Sequence, residues 1–309
     1  MESAKFVALV RTTGTRPALL LDALQSVALQ AVPCLAIVIV HGDASAYIRV
    51  KKLCEEDENA PGTTVLHASD TNRRGGYPIN AGLDYCRTQL SGVEFVFFLD
   101  DGDIVYPFFT MMMAAAFLAA EADVIYAASN RREAGRPAGP GYSPLAIHRL
   151  LRENFITINS YAIRAAALWR TGLSMSEDLD YTGDWHFLLR MLEAGLRFHA
   201  IPAALSEFRI ISGGNVAEKC DASAWKEGSL QIRRYINATS FPIPGPDLAN
   251  LNERSELYRD ADQALISSLR DRIRALENSL SWKWTAPGRR LIDAVLAFRQ
   301  PRASGAQKR

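Results

Sequence analysis

Phe95-Val-Phe-Phe-Leu-Asp100-Asp101-Gly102-Asp103 is an apolar run that ends in three carboxylates within four residues. Such a run is typical of a strand that is buried on both faces of a sheet. Carboxylates packed this closely repel each other and raise one another's pKa unless a cation neutralises them. At a strand end they form a hard-oxygen site that suits Mg²⁺ or Mn²⁺ together with substrate phosphates. Asp-Gly-Asp is also ordinary turn chemistry, so a capped strand end is the alternative.

The size and composition of the chain narrow the class of protein. Its 309 residues are enough for one large α/β domain with an appendage. A net charge of +1 indicates no general attraction to nucleic acid, and we expect no such partner. The cysteines form no C-x-x-C pair, which argues against a zinc site and favours reduced thiols. The absence of a signal peptide and of a long apolar run predicts a cytoplasmic protein.

The residues on either side of the acidic stretch alternate between apolar strands and amphipathic helices. The pattern predicts strands at 5–10, 35–40, 64–67 and 93–99, and helices at 18–30, 47–58 and 81–90. This alternation predicts an α/β fold with a mostly parallel sheet that is flanked by helices. Ligands bind at the carboxyl ends of the strands in such sheets. Thr12, Asp43 and Asp101 all fall at these ends.

Three polar segments stand out beside the predicted strands. The basic, glycine-rich loop from Asn72 to Gly82 runs into a helix and is suited to bind an anion. Residues 130–144 are rich in Gly, Pro and Arg, which predicts a mobile loop or lid. A second acidic cluster, Glu177 to Asp184, enters an amphipathic helix, where Asp184 is expected to cap the helix. Further strands are predicted at 123–127, 159–163, 198–201 and 204–210.

An ordered set of short motifs resembles the family 2 glycosyltransferases of bacterial surface-polysaccharide synthesis. The motifs are Val10-Arg-Thr-x-x-x-Arg16-Pro, Leu24-x-Ser26-Val-x-x-Gln30, Ile37-Val-Ile-Val-x-x-Asp43-x-Ser45, Asn80-Ala-Gly82, Phe98-Leu-Asp-Asp-x-Asp103 and Asp184-Trp-x-x-x-x-Arg190. The resemblance covers about residues 5–212. It implies the Rossmann-like GT-A fold, a nucleotide-sugar donor, a divalent metal and inversion at the anomeric carbon.

The resemblance also implies roles for individual residues. Asp184 corresponds to the general base, and Asp101 and Asp103 to the pair that binds Mn²⁺ or Mg²⁺. Trp185 and His186 would line an acceptor pocket. The residues that would contact a UDP or dTDP nucleotide are Thr12, Arg16, Asp43, Arg74, Asp100 and Asp101.

Two positions depart from the family pattern. Gly42-Asp43 stands where two acidic residues are usual, so one carboxylate is left for the nucleoside. Gly183-Asp184 replaces the usual Glu-Asp pair, while Glu177 and Asp178 lie upstream. Either of these upstream residues remains an alternative to Asp184 as the base.

The C-terminal residues predict two further segments after a domain at 1–240. Residues 241–281 combine a proline-rich linker with a near-heptad helix, which indicates a short coiled coil and a homodimer through 247–280. From Trp282 on there are seven basic residues against one acidic residue. Tryptophans beside arginines suit peripheral contact with the inner face of the cell membrane. A solvated basic tail is the alternative.

Together these patterns predict a metal-dependent inverting glycosyltransferase. It would move one hexosyl or deoxyhexosyl group to a glycan or a lipid-linked acceptor. A sugar nucleotidyltransferase is one alternative, but it would need a lysine after a glycine-rich turn near the N-terminus. That segment offers Arg11 and Arg16 instead. A catalytically silent scaffold of the same fold is the other alternative.

Overall fold

A computed structural model describes residues 6–57, 62–70, 75–133, 136–142, 146–179, 181–210 and 222–243. The chain divides into two units, Met1–Ile243 and Pro244–Arg309. The second unit lies outside the described residues. The predicted helix and dimer at 247–280, the basic tail and Arg74 lie outside the described residues.

The first half of the fold is a parallel sheet. The strands β1 (Phe6–Thr12), β2 (Cys34–His41), β3 (Thr64–Ala68) and β4 (Phe95–Asp100) pair in parallel in the order β3-β2-β1-β4. The helices α1 (Pro17–Ala28), α2 (Ala44–Glu56) and α3 (Tyr77–Gln89) connect them. β1, β2 and β4 are buried along most of their length, which explains their near-continuous apolar sequences.

The second half of the sheet is mixed. It contains β5 (Ile104–Val105), β6 (Val124–Glu133), β7 (Arg136–Tyr142), β8 (Tyr161–Arg164) and β9 (Phe198–Ile210). The order continues from β4 as β8-β6-β9-β5, with β8 antiparallel to both of its neighbours and β6 parallel to β9. The predicted α/β class is confirmed, and the antiparallel pairs lie in this half.

The sequence predicts a mobile loop or lid at residues 130–144, but the structure has paired strands in this segment. β8 pairs with β6 at residues 124–126, and β7 pairs with β6 at residues 129–133. β7 has the sequence Arg-Pro-Ala-Gly-Pro-Gly-Tyr. Proline has no N–H to donate, and a strand at the sheet edge tolerates it because no further strand needs that donor. Similarly, the two short strands predicted at 198–210 form the single strand β9.

Helices cover both faces of the sheet. One face packs against α1, α2 and α4 (Phe109–Ala119), and the other against α3, α5 (Ala165–Thr171), α6 (Gly183–Glu193) and α7 (Ala222–Ala238). Two 3₁₀ helices, Ile147–Leu151 and Ile158–Ser160, precede β8. Alternate residues of β1 enter the two cores, as the two-residue period of a strand requires. No helix in the described ranges is both long and apolar enough to span a membrane.

Candidate active site

The candidate site begins where the neighbouring parallel strands β1 and β4 end. Arg11 lies opposite Asp100 in the strand register. The Arg11 guanidinium donates from Nε to Asp100 Oδ1 and from Nη2 to Oδ2, each at 2.9 Å. Both side chains remain partly exposed, at 29% and 32%. This two-point contact fixes the orientation of Asp100 as well as balancing its charge.

Asp101 is buried at the turn after β4. Thr12 Oγ1 donates to its Oδ2 at 2.6 Å, and the Arg16 guanidinium donates to its Oδ1. Burial raises the pKa of Asp101, although the contacts with Thr12 and Arg16 oppose that effect. Both oxygens are therefore engaged by protein donors. Asp101, which is predicted to bind the metal and the nucleotide, links the ends of β1 and β4 through Thr12.

Asp103 differs from Asp101 because one of its oxygens is left unpaired. Its Oδ1 accepts from the backbone N–H of Arg209 at 2.9 Å, while the buried Oδ2 has no hydrogen-bond partner among the described residues. Burial and the nearby charge of Asp100 raise the pKa of Asp103 well above its usual range. A buried, unpaired carboxylate oxygen favours a nearby cation.

This donor set fits Mg²⁺ or Mn²⁺ bound through one carboxylate and substrate phosphates. Mg²⁺ is commonly held by one or two carboxylates, with the remaining ligands from phosphates and water. In the described part of the chain, no three His, Cys, Asp or Glu side chains form a ready metal site. We therefore expect a cation here to depend on ligands from the substrate.

A charge network on β9 holds the Arg209 backbone in place. Glu207 is buried, and its Oε1 accepts from Arg132 Nε at 2.8 Å and from Arg209 Nε at 2.9 Å. Burial acts to raise the pKa of Glu207, but these hydrogen bonds outweigh it and the pKa is lowered. Arg209 also binds Asp22 of α1 at 3.1 Å. This network was not predicted from the sequence, because Arg132 and Asp22 lie 75 and 187 residues from their partners on β9.

Asp184 is the second residue of α6 and is half-buried. Its Oδ2 accepts from Asn154 Nδ2 at 2.9 Å, and the backbone N–H of Trp185 also hydrogen-bonds its carboxylate. The surrounding protein desolvates the carboxylate and raises its pKa, while these hydrogen bonds and the charge of Arg11 oppose the shift. The N-cap position of α6 is Thr182 and not Asp184, although Asp184 accepts a backbone N–H in the first turn of the helix.

Asp43, another of the predicted nucleotide residues, follows the end of β2. Asp43 is exposed and caps α2, where its Oδ1 accepts from the Ala46 N–H and the Ser45 hydroxyl, each at 2.7 Å. These hydrogen bonds lower the pKa of Asp43. Beside it, the His67 ring stacks on Tyr47 with 4.8 Å between centroids, and His67 Nε2 lies 2.9 Å from the Gly42 oxygen.

Gly75 and Gly76, which directly precede α3, pack closely on residues 175–179. A Cβ on Gly75, which has φ +57°, would lie 2.7 Å from the Leu179 oxygen, and a Cβ on Gly76 would collide with Met175. Asn80 Nδ2 donates to Glu177 Oε1 at 3.0 Å and to the Met175 oxygen at 2.9 Å. The segment before α6 is therefore held by the start of α3, and Glu177 takes part in that contact.

The two predicted acceptor residues differ in position. Trp185 is buried in the core, and its indole Nε1 donates to the Leu150 oxygen at 2.8 Å. His186 is half-buried with its ring 4.7 Å from that of Tyr235 on α7, and burial lowers its pKa. The Trp185 environment is that of a core residue rather than of a pocket lining.

The structure brings most of the predicted site residues to one region. Thr12, Arg16, Asp100, Asp101 and Asp103 surround the ends of β1 and β4, and Asp184 interacts electrostatically with Arg11 and Asp100. The sequence interpretation missed the supporting residues Arg11, Asn154 and Arg209. Arg11 lies inside the first quoted motif, where its position opposite Asp100 could have been inferred from strand pairing.

No protein-family model matches the sequence, and no curated protein matches it. Solved structures do match. The chain is similar to TarS 1-349 of S. aureus in complex with UDP-GlcNAc, with 20% identity and a TM-score of 0.59 over 75% of this chain. It covers 65% of TarS 1-349, which is less than two thirds of that chain. The complex of the same TarS fragment with UDP matches with a TM-score of 0.57 and 18% identity.

A second solved protein is similar over nearly the whole chain. It is the mannosyltransferase PcManGT from Pyrobaculum calidifontis in complex with GDP-Man and Mn²⁺, with 15% identity and a TM-score of 0.58. The match covers 97% of this chain and 82% of that one. The fold is that of the GT-A glycosyltransferases. At these identities the comparisons establish the fold, and the activity is argued from the site.

Proposed function

We propose that this protein transfers one sugar from a nucleoside diphosphate sugar to an acceptor hydroxyl, with inversion at the anomeric carbon and with a divalent cation. The observation that carries the proposal is the arrangement around Asp184. Amide N–H groups bind this carboxylate, the charge of Asp100 at the end of β4 acts on its pKa, and Asp103 after the same strand has an unpaired oxygen. Structural similarity to enzymes bound to UDP-GlcNAc and GDP-Man supports the donor class.

Asp184 is suited to act as the general base. An acceptor hydroxyl has a pKa far above 7 and must lose its proton as it attacks the anomeric carbon. A carboxylate whose pKa is raised accepts that proton more readily than an ordinary one, provided that it is ionised at the working pH. The hydroxyl oxygen then forms the new glycosidic bond as the bond to the diphosphate breaks. One displacement of this kind inverts the configuration and requires no covalent nucleophile.

The strand-end residues are suited to bind the donor. Thr12 and Asp43 would lie against the base and ribose, while Arg16 and Arg74 would add positive charge near the phosphates. Asp103 would hold Mg²⁺ or Mn²⁺, which supplies positive charge to the diphosphate leaving group when it is bound. Asp100 and Asp101 have protein partners that keep the two strand ends together.

The donor and acceptor are proposed by class. UDP- and dTDP-sugars follow from the sequence resemblance, and GDP-sugars are added because the similar structure of PcManGT is a complex with GDP-Man. The acceptor is a hydroxyl of a glycan or a lipid-linked glycan in cell-surface polysaccharide synthesis. This part of the proposal rests on the sequence resemblance and on the composition of residues 282–309.

Calorimetric titration with UDP, dTDP, GDP and CDP, each with and without Mn²⁺, tests the donor site. We expect one nucleotide to bind and Mn²⁺ to strengthen its binding. If none binds, the scaffold alternative replaces the proposal. Release of pyrophosphate from a nucleoside triphosphate and a sugar 1-phosphate would instead identify a nucleotidyltransferase.

A further inference from the structure

A cavity of about 300 Å³ lies between helices α3 and α5. Its apolar part is built from side chains of both helices and of the turn after α5. Leu83 and Leu168 are buried in the core, and Trp169 and Leu173 are partly buried against that core. A cavity of this size that combines apolar side chains with a few polar groups is typical of a small-molecule site. None of these four residues has a part in the proposed transfer mechanism.

The polar part of the lining carries paired charges. Arg87 Nη2 donates to Asp84 Oδ1 at 2.8 Å, three residues earlier on α3, and both side chains are more than half exposed. Glu177, in the segment before α6, accepts from Asn80 Nδ2 at 3.0 Å. The lining therefore contains one guanidinium and two carboxylates. This excess of negative charge disfavours a phosphate or another anion as the ligand, because like charges repel.

One wall of the cavity, residues 172–177, is held by hydrogen bonds to two helices. Asn80 of α3 uses both ends of its side-chain amide, since Nδ2 also donates to the Met175 oxygen at 2.9 Å and Oδ1 accepts the Met175 N–H at 2.8 Å. Arg190 of α6 donates from Nη1 to the Ser174 oxygen at 2.8 Å. A Cβ on Gly172 would meet no atom within 4 Å, so the cavity is open to solvent there. A wall fixed in advance lowers the entropy cost of binding a ligand.

We propose that this cavity is a saccharide-binding site, which holds a neutral part of the acceptor glycan away from the sugar that is modified. The inference rests on the proposed function only where it calls the ligand part of the acceptor. A sugar ring has C–H faces that can pack on an aromatic ring such as that of Trp169, and hydroxyls that both donate and accept hydrogen bonds. The Arg87–Asp84 pair places a donor beside an acceptor, which matches such hydroxyls.

The position of the wall along the chain supports this use. Residues 172–177 follow α5 and precede α6, whose second residue is Asp184. The chain advances seven residues from Glu177 to Asp184. Fully extended, such a segment limits the separation of the two residues to about 25 Å. A glycan whose receiving hydroxyl lies at Asp184 can therefore reach the cavity through a few further sugars.

Calorimetric titration of the full chain with tetrasaccharides tests the proposal without a donor. Maltotetraose, cellotetraose and N-acetylated chitotetraose are the neutral probes, and a heparin-derived tetrasaccharide is the anionic one. We expect at least one neutral probe to bind at millimolar concentration and the anionic probe not to bind. Trp169→Ala should weaken binding of the neutral probe by at least about tenfold, because the ring contact is lost. Trp225→Ala removes a tryptophan that is 51% exposed on α7, outside the cavity, and is the matched control.

Arg87→Leu is the test if Trp169→Ala does not fold, because the Arg87 side chain is 53% exposed. It should weaken binding of the neutral probe by about threefold, since one hydrogen-bond donor is lost. Any of four results would overturn the proposal: no neutral probe binds, the anionic probe binds as tightly, Trp225→Ala loses as much affinity as Trp169→Ala, or the cavity variants keep wild-type affinity.

The same protein separates this proposal from the proposed function. If a neutral tetrasaccharide binds but none of the nucleotides does, the transferase function fails while the saccharide site stands. If a nucleotide binds but no tetrasaccharide does, the saccharide site fails while the donor site stands.

Discussion

The carboxylates after β4 and the carboxylate at the start of α6 lie in one region but have different kinds of partners. Asp100 and Asp101 are bound by the guanidinium groups of Arg11 and Arg16. Asp184 is hydrogen-bonded by neutral amide groups and has a raised pKa. The arginine contacts hold the two strand ends together, whereas desolvation of Asp184 favours its protonated form and the amide hydrogen bonds oppose that effect.

Among the described residues, Asp103 has neither an arginine side-chain partner like that of Asp100 nor a side-chain amide partner like that of Asp184. It has one backbone donor and one unpaired oxygen, and burial raises its pKa. A cation would complete its coordination in the way that arginine completes that of Asp100. We therefore propose three different tasks for these acids: strand pairing, cation binding and proton transfer.

Replacing Asp184, the acid bound by amide groups, should have the largest effect on the transfer rate. We expect Asp184→Asn to lower the transfer rate by about 1,000-fold, the middle of the range for losing a general base. Donor binding should change little, because the nucleotide is expected at the ends of β1 and β2. Single-turnover release of nucleoside diphosphate and calorimetry with the same donor measure the two effects. An equal loss of binding and rate would remove Asp184 from the role of base.

Removing the carboxylate of Asp103, which carries the unpaired oxygen, should weaken cation-dependent nucleotide binding. We expect Asp103→Ala to weaken Mn²⁺-dependent nucleotide binding by at least about tenfold, because the site then loses its protein ligand. Binding without Mn²⁺ should stay close to that of the wild type. Titrations with and without Mn²⁺ measure this difference, and Asp84→Asn on the exposed face of α3 is the control. An unchanged response to Mn²⁺ would place the cation elsewhere.

Loss of the Asn154 amide donor should shift the pKa of Asp184 without removing the carboxylate that acts as the base. Asn154→Ala removes a hydrogen bond that favours the ionised form of Asp184, so the pKa of Asp184 should rise further. The base must be deprotonated to act, so the rate should fall by about tenfold on the acid side of the profile and recover as the pH rises. The pH dependence of single-turnover transfer measures this. A loss that is equal at all pH values would indicate misplacement of the carboxylate instead.

The smallest effect on nucleotide affinity should come from the charge network of Glu207, which lies on β9 next to the Arg209 backbone that binds Asp103. Glu207→Gln keeps the shape of the side chain but weakens the two arginine contacts that hold the Arg209 backbone. We expect a loss of about threefold in Mn²⁺-dependent nucleotide affinity, in line with a partly exposed ion pair. Calorimetry in Mn²⁺ measures it. A loss as large as that of Asp103→Ala would mean that Glu207 contacts the cation or the donor itself.

Much of the parallel half of the fold could be predicted from the sequence. The runs at 35–40 and 93–99 are buried on both faces, so their apolar composition is unambiguous. The prediction of a lid at 130–144 was wrong because glycine and proline are compatible with an edge strand. The edge of β6 that β8 leaves unpaired is available to pair with β7. Helix α5 was not predicted, because a seven-residue helix is too short to show a period.

The sequence by itself determined the class of fold, the acids at the strand ends and the candidate base, because each of these follows from local composition and order. The tertiary structure decided what each acid can do. Asp101 and Asp103 are two residues apart and chemically identical, yet one is bound by Thr12 and Arg16 and the other keeps an unpaired oxygen. Their partners come from β1, from the N-cap of α1 and from β9, up to 106 residues away. Burial and charge at an acid depend on these distant groups, and only the folded chain brings them together.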